Sequence, residues 1–125
     1  SRADEQQLLQ NLDNQQLKLL YVSPERLLNR SFYDLMQQMT ISLFAIDEAH
    51  CISSWGHDFR PEYTKMKFLK NSFPKVPIMA LTATADKLTR KDIVNQLGLR
   101  TPEIFVSSFD RPNLSIEVRP WQKRL

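Results

Sequence analysis

Short apolar runs alternate with amphipathic stretches along most of the 125-residue chain. Runs of strand length lie at 17–22, 41–46, 77–83 and 103–108. The run at 41–46 is nearly continuous, as in a strand that is covered on both faces. Because strands that alternate with helices favour parallel pairing, the pattern predicts an α/β layered fold.

Segments whose apolar residues have helical spacing lie between these runs. A helix is predicted over residues 3–12, and a second from Pro24 to about Gln38, preceded by Ser23 as a candidate N-cap. Further helices are predicted over 60–73 and 86–97. Gly98 is placed to end the last of them.

Composition narrows the class of protein. The chain is 42% hydrophobic, contains two glycines and carries a formal charge of +3 with a pI near 9.2. A basic balance is compatible with a polyanionic partner but does not require one. The single cysteine excludes an internal disulfide, and no apolar stretch approaches a membrane span. We therefore expect a soluble intracellular protein without a membrane partner.

Two acids follow the most apolar run. Asp47 and Glu48 come directly after residues 41–46, where ligands of parallel sheets gather. One carboxylate could hold a phosphate-bound Mg²⁺, while its neighbour orients or deprotonates a water. Two acids also simply favour the start of a following helix. On these residues alone both interpretations stay open.

A longer set of segments resembles one family. "DEAHCISSWGHDFRPEY" (47–63) is similar to motif II and the adjoining aromatic-rich loop of RecQ-family ATP-dependent DNA helicases. In the same order, "LLYVSPERLL" (19–28) resembles motif Ib, "MALTATA" (79–85) motif III, and "SSFDRPNL" (107–114) the junction to the second motor domain. The resemblance covers about residues 17–118.

The resemblance implies a partial RecA-like (P-loop NTPase) three-layer α/β fold with a mostly parallel sheet that lacks the phosphate-loop strand. Residues 1–109 would be the C-terminal part of the first RecA-like domain. Residues 110–125 would be the linker and the start of the second domain. The implied activity is that of a superfamily 2, 3′-to-5′ DNA helicase of recombination and repair, using ATP and Mg²⁺. The alternative is a non-catalytic module that binds single-stranded DNA.

The resemblance also implies roles at the acidic pair. Asp47 would hold Mg²⁺ through water, Glu48 would be the general base, and His50 would couple the nucleotide site to DNA. Without the resemblance, His50 would be interpreted as a histidine at the start of a helix whose ring hydrogen bonds are satisfied within the fold. A zinc site from His50, Cys51 and His57 is a further alternative, although the spacing matches no familiar zinc pattern.

The aromatic residues that follow have two interpretations. Ile52, Trp55 and Phe59 have the spacing of a buried helix face, but Gly56 interrupts it. The alternative is an exposed loop, residues 53–60, whose rings stack on single-stranded bases. We call residues 53–60 the aromatic loop. The family favours this second interpretation, and it implies the following DNA sensors: Trp55, His57, Phe59 and Arg60.

Two other motif segments carry candidate residues. Ser23 and Arg26 could contact a DNA phosphate, while a capping role accounts for Ser23 equally well. Thr82 and Thr84 would relay between the ATP and DNA sites, or serve as turn and N-cap residues before the helix at 86.

No phosphate-cradling GxxxxGK[ST] pattern occurs in the sequence, whose only glycines are Gly56 and Gly98. We therefore expect no meaningful ATPase activity from the 125-residue chain alone, and tight binding of ATP and Mg²⁺ would need that loop. Single-stranded and forked DNA are the expected partners. Unpaired sheet edges also predict self-association. The expected location is cytoplasmic and nucleoid-associated in a bacterium, or nuclear in a eukaryote.

Overall fold

The computed structural model describes residues 2–13, 17–108 and 110–118 and, within the first helix, the side chains of residues 6–11. Its regular elements are short and alternate in type. In chain order they are α1 (Arg2–Asp13), α2 (Pro24–Leu27), α3 (Arg30–Met36), β1 (Phe44–Ile46), a 3₁₀ helix (Ala49–Ile52), α4 (Pro61–Thr64), α5 (Lys67–Ser72), β2 (Ile78–Ala80) and α6 (Lys87–Leu97).

Strands β1 and β2 form a parallel pair, in which Phe44 lies opposite Ile78. The pairing continues past the strand ends, because the Leu81 N–H donates to the Ile46 carbonyl at 2.9 Å and the Ala49 N–H donates to the Leu81 carbonyl at 2.9 Å. The carboxyl ends of both strands therefore meet at one edge. The predicted α/β fold with parallel pairing is confirmed, in agreement with the partial RecA-like fold that the resemblance implies.

Two predicted strands are wrong in this structure. Residues 17–22 and 103–108 join no ladder among the residues that the structure describes. Their apolar side chains stay outside the core: Tyr21 is 88% exposed and Phe105 is 87% exposed. An apolar run becomes a strand only where a neighbour supplies its hydrogen bonds, and neither run has that neighbour in the described chain.

Two predicted helices are each divided. The helix expected from Pro24 to about Gln38 breaks at Asn29, whose extended backbone and side-chain oxygen cap α3 by accepting the N–H groups of Ser31 and Phe32. The helix expected over 60–73 is interrupted between α4 and α5. There the backbone N–H groups donate to the carbonyls three residues earlier, as in a 3₁₀ helix, instead of four residues earlier. Helix α6 is confirmed: Asp86 caps it, and Gly98 ends it with a φ of 65°.

One hydrophobic core joins the 3₁₀ helix, β1 and the longer helices. Its buried members come from α3, β1, the 3₁₀ helix, the residues from Met66 through α5, and α6, so the acidic pair follows a strand whose last residue is in the core. They are Phe32, Met36, Ile46, Ala49, Ile52, Met66, Leu69, Ile93 and Leu97.

The segment after α6 bears on the predicted domain boundary. Residues 110–118 are exposed and form no helix or strand, apart from a turn in which the Leu114 N–H donates to the Arg111 carbonyl at 2.9 Å. Phe109, the last residue of the proposed first domain, lies outside the described residues, so the boundary stays a prediction. No described helix has the length and apolarity that crossing a membrane requires.

Candidate functional site

The acidic pair lies in a tight turn at the carboxyl end of β1. Ile46 is buried, whereas Asp47 and Glu48 are exposed. The Glu48 N–H donates to Asp47 Oδ1 at 2.9 Å, and Glu48 adopts a left-handed backbone with a φ of 51°. That conformation costs a residue other than glycine about 1–2 kcal/mol. The turn therefore holds both carboxylates at the edge of the sheet in a defined arrangement, as the pattern predicted.

His50 connects this turn to the end of β2. The ring is buried, and its Nδ1 lies 2.8 Å from Thr82 Oγ1 and 3.3 Å from Glu48 Oε2. Because the Glu48 carboxylate can only accept when ionised, a proton on Nδ1 satisfies this contact. A polar path thus runs from Glu48 through His50 to Thr82, between segments more than thirty residues apart.

The two threonines are not equivalent. Thr82 Oγ1 accepts the Thr84 N–H at 3.2 Å, so Thr82 has the turn role as well as the contact with His50. The N-cap alternative is wrong for both residues, because Asp86 caps α6 by accepting the Thr89 N–H at 2.7 Å. A relay function for Thr82 and Thr84 stays a prediction, and only the geometry of their contacts is established.

The aromatic loop is an exposed loop and not a buried helix. The 3₁₀ helix ends at Ile52, and Ser53 is extended. Trp55 is 71% exposed and Phe59 is 44% exposed. A Cβ on Gly56 would lie 3.1 Å from the His50 carbonyl oxygen, so glycine permits a close approach of the loop to the 3₁₀ helix. The core-helix alternative is therefore wrong.

Ser53 anchors the base of the aromatic loop, which the sequence did not indicate. The side chain is fully buried, and its Oγ donates to Asp92 Oδ2 of α6 at 2.7 Å. The same oxygen accepts the Trp55 N–H at 3.3 Å. The loop is closed at its other end by the Arg60 N–H, which donates to the Cys51 carbonyl at 2.9 Å. The backbone that carries Trp55 is consequently tied to α6.

A ring contact brings the loop against the acidic turn. The imidazoles of His50 and His57 are stacked, with centroids 5.1 Å apart and planes 12° from parallel. His57 is exposed and His50 is buried. The exposed ring of His57 is therefore stacked on the residue that contacts Glu48.

Three side chains with metal-ligating atoms also lie together here. Donor atoms of His50, Cys51 and Asp58 lie within 4.8 Å of one another, so Asp58 takes the place that the zinc alternative gave to His57. Burial, and then the charge of Asp58, raise the pKa of the Cys51 thiol. The spacing matches no familiar zinc pattern, and the zinc alternative stays a prediction.

The motif Ib residues are close to the end of the aromatic loop. Ser23 Oγ accepts the Arg26 N–H at 3.3 Å, which confirms its capping role in α2. The Arg26 guanidinium lies over the Phe32 ring, 5.4 Å from its centroid. The pKa of Glu25 is lowered, first by a hydrogen bond from its own backbone, then by Ser23, and to a lesser degree by Arg60. Helix α2 and Arg60 thus share one side of the molecule.

The structure brings most of the predicted residues into one neighbourhood. Glu48 and Thr82 each contact His50, His57 stacks on His50, and the Thr84 N–H donates to Thr82. Four residues that the sequence did not single out complete the surroundings: Ser53, Asp58, Lys87 and Arg90. The signal for Asp58 was its position among the polar residues of the loop, whereas there was no signal in the sequence for Ser53, Lys87 or Arg90.

Comparison with known proteins supports this arrangement. The model of the family described as DEAD/DEAH box helicase matches residues 1–93. The chain is 59% identical over 111 residues to the ATP-dependent DNA helicase RecQ of Pasteurella multocida, which covers 88% of this chain. It is 56% identical over 112 residues to the RecQ protein of Haemophilus influenzae, covering 89% of this chain. It is 49% identical over 109 residues to the RecQ-like DNA helicase BLM of Xenopus laevis, covering 83% of this chain and 8% of that protein.

The chain spans 18% of the length of each of the two bacterial relatives. The family model spans the acidic turn, the aromatic loop and β2, and the identities of 56–59% over most of this chain confirm the RecQ resemblance that the motifs carried. The chain belongs to the DEAD/DEAH box helicase family.

Proposed function

We propose that this chain is part of a RecQ-type superfamily 2 motor that couples ATP hydrolysis to 3′-to-5′ unwinding of DNA. The main support is the polar path Glu48–His50–Thr82 beside an exposed aromatic loop. The relatives are named ATP-dependent DNA helicases, which favours this function over a non-catalytic binding module. Recombination and repair are the proposed processes. The proposed location is cytoplasmic and nucleoid-associated in a bacterium, or nuclear in a eukaryote.

At the nucleotide site, Asp47 is the residue proposed to hold Mg²⁺ through its water shell. An exposed carboxylate at a fixed turn fits this ion, which keeps several waters and needs only one or two carboxylates. When bound, the metal would neutralise charge on the phosphates of ATP. Glu48 would accept the proton of the attacking water, and His50 would orient the Glu48 carboxylate through Nδ1.

At the nucleic-acid side, the proposed sensors are Trp55, Phe59 and Arg60, with Ser23 and Arg26 as phosphate contacts. Single-stranded and forked DNA are the proposed substrates. Bases that stack on the exposed rings would shift the aromatic loop, and the stacked pair His57–His50 would carry that shift to Glu48. This route is a proposal about coupling, and it requires motion at the His57 contact.

Trp55→Ala in a motor that carries this segment tests the proposal. The concentration of single-stranded DNA that half-stimulates ATP hydrolysis should rise about 5- to 150-fold, since stacking on one base is worth about 1–3 kcal/mol. A steady-state ATPase titration with oligodeoxythymidylate measures it. Trp55→Phe keeps an aromatic face and should recover most of the loss. An unchanged half-stimulating concentration in Trp55→Ala would contradict the proposed sensing role.

We also propose self-association of the 125-residue chain through its unpaired apolar runs. Tyr21, Phe105 and Ile116 are 88%, 87% and 93% exposed, and exposed apolar segments of strand length invite pairing with another chain. Light scattering after size exclusion should show dimers or larger species at micromolar concentration. A compact monomer that melts cooperatively would refute this proposal.

A further inference from the structure

A buried hydrogen bond joins the first residue of the aromatic loop to the middle of α6. The Ser53 side chain is fully buried, and its Oγ donates to Asp92 Oδ2 at 2.7 Å. The same oxygen accepts the Trp55 N–H at 3.3 Å, and the Ser53 carbonyl accepts the Gly56 N–H at 3.1 Å. Through one serine, Asp92 therefore holds the backbone that bears the Trp55 indole.

The position of Asp92 within α6 calls for an explanation. It is the sixth of the eleven residues of the helix, and aspartate is among the less favourable residues in a helix interior. It does not cap the helix, because Asp86 is the N-cap. It also forms no ion pair with any residue that the structure describes. The bond to Ser53 is the contact that accounts for an acid at this position.

Helix α6 also holds the segment that follows β2. The Arg90 Nη1 donates to the Ala85 carbonyl at 3.2 Å, which ties the end of that segment to the helix. Thr82 lies in the same segment, and its Oγ1 is 2.8 Å from the ring of His50. Because α6 places several of its side chains in the core, it is a fixed support. The base of the aromatic loop and the segment that contacts His50 are thus held by one helix.

Burial distinguishes a fixed support from a contact that opens and closes. Ser53 is 0% exposed and Ile52 before it is 1% exposed, whereas Trp55 is 71% exposed. Opening the bond would leave a buried hydroxyl and the half-buried carboxylate of Asp92 without partners, which is costly. The base of the loop therefore stays in place, and the exposed rings beyond it are the part that can respond to a ligand.

We propose that Asp92 is a positioning residue for DNA-stimulated ATP hydrolysis, acting through Ser53 on the aromatic loop. This inference rests on the proposed function, in which the loop senses single-stranded DNA. A loop that is already held in place loses less conformational freedom when a base stacks on it, so the same contacts give a higher affinity. Without the bond, the DNA itself would have to order the loop.

A steady-state ATPase titration with oligodeoxythymidylate, in a motor that carries this segment, tests the inference. Asp92→Ala should raise the half-stimulating concentration about 2- to 12-fold, the range that corresponds to ordering one further side chain on binding. Turnover without DNA and the KM for ATP should not change. Asp92→Asn keeps an oxygen that accepts the Ser53 hydroxyl, so it should recover most of the loss.

Ser53→Ala removes the same bond from the loop and should give the same shift, so the test has a second variant. Combining Ser53→Ala with Asp92→Ala should add no further shift, as expected when two residues act through one contact. Asn95→Ala is the matched control, because Asn95 is exposed on the same helix and asparagine and aspartate have similar helix propensities. Thermal melting by circular dichroism establishes that each variant is folded.

Three results would overturn the inference. A merely structural role of Asp92 would lower turnover with and without DNA by the same factor and leave the half-stimulating concentration unchanged. A lower half-stimulating concentration would mean that only the loss of a negative charge near DNA matters. If Trp55→Ala raises this concentration while Asp92→Ala and Ser53→Ala behave like Asn95→Ala, the inference is wrong and the proposed function stands. If Trp55→Ala also has no effect, both are wrong.

Discussion

Replacing Glu48 with glutamine in a motor that carries this segment is expected to lower ATP turnover by about 10²- to 10⁴-fold, the usual contribution of a positioned general base. Glutamine has nearly the same shape but does not accept a proton from the attacking water. The Glu48 side chain is exposed. The hydrogen bond that the Glu48 backbone N–H donates to Asp47 does not involve the Glu48 carboxylate, so the turn should keep its geometry.

The measurement is steady-state ATPase activity with saturating single-stranded DNA, together with the affinity for ATP by equilibrium binding. We expect a loss in kcat with little change in ATP affinity, because Glu48 is assigned to the reacting water and not to the phosphates. Glu103→Gln is the control, since Glu103 is exposed and lies well away from the acidic turn in sequence. If the kcat of Glu48→Gln equals that of Glu103→Gln, Glu48 is not the general base.

Replacing Ser53 with alanine is expected to lower the free energy of unfolding by about 1–3 kcal/mol, the cost of losing a buried hydrogen bond to a charged group. The Ser53 hydroxyl donates to Asp92 Oδ2 at 2.7 Å and accepts the Trp55 N–H at 3.3 Å. Alanine leaves the half-buried carboxylate of Asp92 without this donor. The aromatic loop would also lose its tie to α6.

Urea unfolding of the 125-residue chain, followed by circular dichroism, measures this effect. Ser54→Ala is the matched control, because Ser54 is the adjacent residue of the same type and is exposed. A double-mutant cycle with Asp92→Ala isolates the interaction between the two side chains. If Ser53→Ala destabilises the chain no more than Ser54→Ala, the anchoring role of Ser53 is wrong.

Local signals were sufficient for several elements. Helix α6 begins at Asp86 as N-cap and ends at Gly98, because capping depends on a few neighbouring residues. Strands β1 and β2 lie inside two of the predicted apolar runs, and their pairing is parallel as the alternation of elements predicted. The acidic turn follows β1 for the same reason, since the core holds the strand and the next residues must emerge at its end.

Local signals failed where a partner was needed. Residues 17–22 and 103–108 have the composition of strands but join no ladder in the described chain, because a strand depends on hydrogen bonds that its own segment does not supply. The predicted helix is divided between α2 and α3 by another local signal. The side-chain oxygen of Asn29 accepts backbone N–H groups of the next residues, so a new helix begins after Asn29.

The sequence by itself determined the family and the position of Asp47 and Glu48 at the end of a buried strand, and the family resemblance favoured the open form of the aromatic loop. These depend on short-range pattern, spacing and backbone chemistry. Only the tertiary structure decided that His50 contacts Thr82, that Ser53 is bonded to Asp92, and that the rings of His50 and His57 stack. The first two contacts join residues far apart in the chain, and they form because packing of β1, β2 and α6 around one core brings those residues together.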